Sequence, residues 1–192
     1  MIERKHIPLL ITLVVAMLIF GLLFFERRNI EFLIYIAVIA VLAIIIGISD
    51  RKVHYSAGVL WSMLVWAILH MAGGGVRFST GILYTKILIP LSSTYEVLRY
   101  DQVVHMFGFG AATVLMYEVL KPHLKQHRGF AVAIATIMAG LGLGALNEIV
   151  EFTLTVLLPQ TGVGGYLNTG LDLVADLIGA LAAWIIIRWR NI

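Results

Sequence analysis

Apolar residues in this chain follow neither a strand alternation nor the one-sided stripe of a surface helix; they run in long blocks separated by short polar breaks. The blocks are Ile7 to Phe25, Ile30 to Ile48, Tyr55 to Ala72, Asp101 to Leu120, Phe130 to Leu158 and Asp172 to Ile187. A bilayer's hydrocarbon core needs about 20 apolar residues per crossing helix. The pattern therefore predicts an all-α, polytopic membrane helix bundle of about six transmembrane helices. It leaves room for one integral-membrane domain, residues 1–192, whose polar site is built from about 70–192. The segment Gly73 to Tyr100 is too long for a simple connector. It contains Ile82-Leu83-Tyr84-Thr85-Lys86-Ile87-Leu88-Ile89-Pro90, an amphipathic run too brief to span, which predicts an interfacial or re-entrant segment between helices three and four. The stretch Gln160 to Gly170 is glycine-rich and polar, the composition of a mobile loop.

Composition agrees with the blocks. Of 192 residues, 60% are hydrophobic and 13% charged, more apolar surface than a water-soluble domain hides. A net charge of +3 would suit nucleic acid, but basic residues flanking membrane helices report orientation instead, so no nucleic-acid partner is expected. With the N-terminus inside, inner segments hold Arg4, Lys5, Arg51, Lys52, Lys121, Lys125, Arg128, Arg188 and Arg190. The outer ones hold Arg27, Arg28, Arg77, Lys86 and Arg99. The expected location is a cell (inner) membrane with both termini cytoplasmic. Met1 to Phe25 is too long, and Glu26-Arg27-Arg28-Asn29 too charged, for a cleaved signal peptide. Cysteine is absent, which removes disulfides, thiolate zinc sites and cysteine nucleophiles from consideration.

Ionisable groups inside a bilayer cost several kcal/mol when unpaired and tend to persist only where they face protein or a cavity. Here they concentrate in the last three helices. Helix four opens with Asp101 and His105, helix five carries Asn147, Glu148 and Glu151, and helix six opens with Asp172 and Asp176. Spacings of three or four residues put each pair on one helix face. With the topology above, every pair falls in the outer half of the membrane. Gly108 and Ala112, Gly140 and Gly144, and Gly179 and Ala183 supply small-residue faces for close packing of these helices. The run Gly140 to Gly144 suits such packing better than a phosphate loop, since it lacks a strand before it. Helices one and two, rich in Ile, Leu and Val, read as lipid-facing scaffold.

Five neighbouring acids cannot all stay ionised without countercharge. The candidates are a divalent metal, shared protons, or Arg77 and Arg99 folding in from the outer segment. Carboxylates with a histidine suit Mn, Fe or Zn, and carboxylates alone suit Mg or Ca. No Glu-x-x-His or His-Glu-x-x-His motif specifies one of them. Bland alternatives also exist. An Asp at a helix start caps it, His70 at the end of helix three reads as solvated, and Glu118 is placed to pair with Lys121.

Tyr100-Asp101-Gln102-Val103-Val104-His105, Asn147-Glu148-Ile149-Val150-Glu151-Phe152, and Asp172 followed by Leu177-Ile178-Gly179-Ala180-Leu181 resemble the YjdF-like bacterial inner-membrane proteins. They are similar, more distantly, to the VanZ-like proteins. The likeness runs from about His70 onward. It implies a multi-pass membrane protein of unassigned biochemistry with Asp101, His105, Glu148, Glu151 and Asp172 as its polar signature. In the YjdF-like pattern an acid stands where Asn168 is here and a histidine where Gly75 is here, which makes Asp176 and His70 local replacements.

The leading functional expectation is a membrane-embedded, metal-dependent enzyme acting on a lipid or lipid-linked substrate from the extracytoplasmic side. In it Glu148, Glu151, His105, Asp101 and Asp172 are the catalytic candidates, with Asp101 orienting His105. His105, Glu148, Glu151, Asp172 and Asp176 are the metal candidates. Arg77, Arg99, Asn147 and Asn168 are the substrate-binding candidates. The alternatives are a proton- or cation-coupled transporter and a non-catalytic factor that binds envelope lipids.

Overall fold

The computed structural model describes residues 6–92, 94–162 and 165–190. Arg4, Lys5, Val163 and Gly164, which enter the topology and loop expectations, lie outside the described residues. Six helices dominate: α1 (Ile7–Glu26), α2 (Ile30–Val53), α3 (Ala57–Gly75), α4 (Tyr100–Leu120), α5 (Phe130–Leu157) and α6 (Tyr166–Arg190). Each is long and apolar enough to cross a membrane, so the chain is a polytopic helical membrane protein.

Local chemistry sets several of the helix ends. Asn29 and Ser56 cap α2 and α3 by accepting the backbone N–H groups of Phe32 and Val59, donors that have no partner inside the helix. Gln102 Oε1 accepts the Arg99 N–H at 2.6 Å where α4 begins. Glu118 does not pair with Lys121 as the spacing suggested. Its Oε2 instead accepts the Ser56 N–H at 2.9 Å, a charge-assisted bond that ties the end of α4 to the start of α3.

Contacts between helix ends sort the bundle into two poles. At one pole His6 lies 3.4 Å from Asp50 and Ser56 meets Glu118. At the other, Arg27 Nη1 donates to the Gly75 carbonyl at 2.6 Å and Arg99 Nη1 to Asn168 Oδ1 at 3.1 Å. Successive helices therefore alternate in direction.

α4 is the central helix, packed against α3, α5 and α6. The small residues mark where the helices meet. A Cβ on Gly179 would overlap the Met106 carbonyl and come 3.0 Å from the Gly110 nitrogen, so α6 and α4 touch backbone to backbone. Gly140 lies under Thr113, Gly144 under the Asp176 carboxylate, and Gly108 under the Trp66 ring. Gly142, between the two packed glycines of α5, has nothing within 4 Å of where its Cβ would stand.

The segment between α3 and α4 does not span, as its length implies: β1 (Arg77–Phe78) and β2 (Gly81–Ile82) make a short antiparallel hairpin, a 3-10 turn covers Leu83–Thr85, and Ile87 bridges to Arg99. Tyr84 turns inward, almost fully buried, and its ring fills the space that a side chain at Gly73 would take. The segment is thus a cap pinned to the bundle by an aromatic side chain. One expectation needs revision: α6 starts at Tyr166, six residues before Asp172. The polar stretch at its start is helical because Asn168 is buried there with partners on α4; tertiary hydrogen bonds outweigh the loop-like composition.

Candidate functional site

At the pole carrying the cap, three helices deliver their polar residues to one place. Measured at 1.5 Å per residue, Asp172 and Asp176 lie roughly 9 and 15 Å inside the start of α6, and Glu151 and Glu148 roughly 9 and 14 Å inside the end of α5. Asp101 and His105 occupy the first two turns of α4. Neither Asp172 nor Asp176 is a helix cap, so the capping alternative for them does not hold.

His105 is the hub, 2% exposed. Its Nδ1 lies 2.9 Å from Asp176 Oδ1 and 3.7 Å from Glu148 Oε1. Its Nε2 lies 3.7 Å from Asp101 Oδ1 and 3.8 Å from Glu151 Oε1. The hydrogen-bond distance to Asp176 gives that residue, rather than Asp101, the place that fixes the ring's orientation. With Nδ1–H donated to Asp176, the Nε2 lone pair points toward Asp101 and Glu151, the arrangement in which a histidine is held ready for an electrophile.

Neutral amides space the acids apart. Asn168 Nδ2 donates to Asp101 Oδ2 at 3.0 Å and also contacts Asp172 Oδ2. Gln102 Nε2 reaches Asp172 Oδ1 at 3.4 Å, and Asn147 Nδ2 donates to Glu151 Oε1 at 2.9 Å. Arg99, half-buried, binds Asn168 and pairs with Glu96, so it touches the cluster through an amide. Of the four residues expected to meet substrate, Asn147, Asn168 and Arg99 are brought to the cluster. Arg77 stands exposed on β1.

Donors run out before acceptors do. Among the described residues, Asp101 Oδ1, Glu151 Oε2 and Asp176 Oδ2 are buried without a hydrogen-bond partner and the Glu148 oxygens have at most the Thr169 hydroxyl beside them, an expensive condition for carboxylate oxygens. Two overlapping trios, Asp101, His105 and Asp172, and His105, Glu148 and Glu151, each offer ligand atoms within 4.8 Å of one another. Donors sharing a first-row ion at about 2.1 Å each lie within ~4.2 Å, so a small inward movement of either trio suffices.

His70 does not join the acids. It is buried in an aromatic box, with the rings of Tyr35, Trp66, Tyr84 and Phe32 at 5.0 to 6.3 Å, and its Nδ1 shares a 2.5 Å hydrogen bond with the Tyr84 hydroxyl. Burial, and after it the facing charges of Asp101 and Glu151, pushes the Tyr84 hydroxyl well above the usual phenol range, which keeps it protonated. Glu31 of α2 was not anticipated. It is buried at the same pole and accepts the Gly162 N–H at 2.7 Å, so α2 is more than scaffold. A lone glutamate one residue into a long apolar helix was the clue.

Searches of curated proteins and of solved structures returned no match. A family model does match, across residues 7–191. It spans all six helices, and on that evidence the chain belongs to the family described as predicted membrane protein DUF2238.

Proposed function

We propose that the cluster binds one divalent cation and that the chain is a membrane-embedded enzyme acting on a lipid or lipid-linked substrate from the extracytoplasmic side. The observation behind this is the surplus of buried carboxylate oxygens around a single imidazole. His105, Glu148, Glu151, Asp101 and Asp172 are the ligand candidates, and Asp176 is a positioning residue for His105. Mixed carboxylate and imidazole donors favour Mn, Fe or Zn, with Mg as the harder alternative. Such an ion supplies Lewis-acid polarisation of an ester or phosphate oxygen. Arg99 beside Asn168 is placed to meet an anionic headgroup, and Arg77 on the exposed hairpin marks the rim. The YjdF-like resemblance is compatible with the family match and supplies no reaction.

Both termini cytoplasmic is the orientation we infer. It is supported by Arg51, Lys52, Lys121, Lys125, Arg128, Arg188 and Arg190, which lie on the His6 side of the alternating helices. The cation reading is tested on purified protein washed with a mild chelator and then offered Mn, Fe or Zn. Near-stoichiometric retention of one ion is expected, with Glu148→Gln and Glu151→Gln strongly reducing it. Asp176→Asn should weaken affinity by about 10–100-fold, the usual effect of losing the partner that orients a ligand histidine. No retained metal in the parent protein, and no change in the variants, rejects it.

One observation favours a second reading, a proton- or cation-coupled transporter. Thr113, Thr136 and Tyr117 are all fully buried deeper in the bundle, polar steps leading from the acids toward the opposite pole. That reading requires pH-gradient-driven transport in liposomes, which the enzyme reading does not. A cell-envelope phenotype that survives Glu148→Gln and Glu151→Gln together points instead to a non-catalytic lipid-binding factor.

A further inference from the structure

A crevice of about 460 Å³ opens between α1, α2 and α3 at the pole opposite the carboxylates, and it shares no residue with them. Leu13, Ile39, Leu42, Leu60 and Met63 form its walls and Trp66 lines its deep part. His6, Asp50, Arg51 and His54 stand at its mouth. Gly47 also lines it, and nothing lies within 4 Å of where a Gly47 Cβ would be.

The size and apolar walls are those of a small-molecule site, but the surroundings are lipid. The charges at the mouth are unequal. Asp50, the one acid among the described residues lining the crevice, is already engaged by the Tyr55 N–H at 2.8 Å and by His6. Among the described residues His6 Nε2 is buried with no partner, and Arg51 is exposed. An amphiphile with a single negative charge above an acyl chain matches both halves of this site.

We propose that the crevice holds one acyl chain of an anionic phospholipid whose phosphate rests against Arg51, His54 and His6. The chain descends between α1 and α2 and ends against Trp66. This lipid is a bound component of the α1–α3 half, independent of the chemistry at the other pole.

Trp66 provides the measurement, because it is only 7% exposed and bulk lipid does not reach it. The full chain carrying Trp61→Phe, Trp184→Phe and Trp189→Phe retains Trp66 as its one tryptophan. It is reconstituted in phosphatidylcholine vesicles containing dibrominated phosphatidylglycerol or, separately, dibrominated phosphatidylcholine. Bromine on the phosphatidylglycerol chain should quench Trp66 at a several-fold lower mole fraction than bromine on phosphatidylcholine. Arg51→Ala should reduce that preference about fivefold, the weight of one basic residue at a membrane surface. Gly47→Leu, whose Cβ stands in open space and whose larger side chain takes up room in the crevice, should remove the quenching while helical circular dichroism is retained, and Gly47→Ala should reduce it less. Equal quenching by the two lipids, no response to Arg51→Ala, or full quenching in folded Gly47→Leu overturns the proposal.

Discussion

His105→Leu is expected to be among the most damaging single substitutions in the chain, lowering stability by about 3–5 kcal/mol. That is the range for leaving a buried carboxylate uncompensated when its partner is removed. Here the stranding is multiple, since Asp176, Glu148, Asp101 and Glu151 all lie within 3.8 Å of the ring nitrogens. At about 2–4 °C per kcal/mol for a chain of this length, the melting temperature in detergent should fall by roughly 10 °C. Adding Asp176→Asn to the His105→Leu background should recover part of the loss, because it deletes a charge the imidazole no longer faces. A melting curve identical to that of the parent protein would mean that the acids are neutralised without any help from His105.

The second large effect comes from a methyl group. Gly179→Ala should destabilise by about 3 kcal/mol, the upper end of the usual overpacking cost, because the added Cβ meets the Met106 carbonyl, a backbone atom that yields only if α4 and α6 separate. The same substitution at Gly142, where there is open space, should stabilise by about 0.5–1 kcal/mol through helix propensity alone. Comparing the two melting temperatures isolates packing from propensity. Equal shifts of the same sign would show that α4 and α6 are not in backbone contact. Since α4 and α6 carry Asp101, His105, Asp172 and Asp176, separating them also pulls the cluster apart.

What was legible in the sequence was whatever the bilayer dictates. The apolar blocks became the six helices because a crossing segment has to satisfy its own backbone hydrogen bonds. The convergence of Asp101, His105, Glu148, Glu151, Asp172 and Asp176 followed from helical spacing combined with alternating direction. What was not legible depends on side chains meeting across the chain. The first turn of α6 looks like loop until Asn168 is seen between Asp101 and Asp172. Tyr84 looks interfacial until Gly73 makes room for it. Spacing on α4 favours Asp101 as the orienting partner for His105, and only the geometry gives that place to Asp176, at 2.9 Å against 3.7 Å. Glu31 is not legible because one acid in an apolar block shows no partner in sequence; the Gly162 N–H that it accepts comes three helices later along the chain.

The order of the helices along the chain has a consequence for biosynthesis. α4 and α5 leave the ribosome before α6, so His105 enters the membrane accompanied by three acids and without the oxygen that receives its Nδ1 proton. Asp101 likewise waits for the Asn168 amide. For that interval the half-made bundle carries uncompensated polar groups that the translocation machinery or the lipid headgroups have to shelter. Only the arrival of α6, drawn onto α4 at Gly179 and Gly110, closes the polar centre. A chain released after truncation between Leu157 and Tyr166 should therefore be degraded by membrane quality-control proteases faster than the full chain, as a pulse-chase would show.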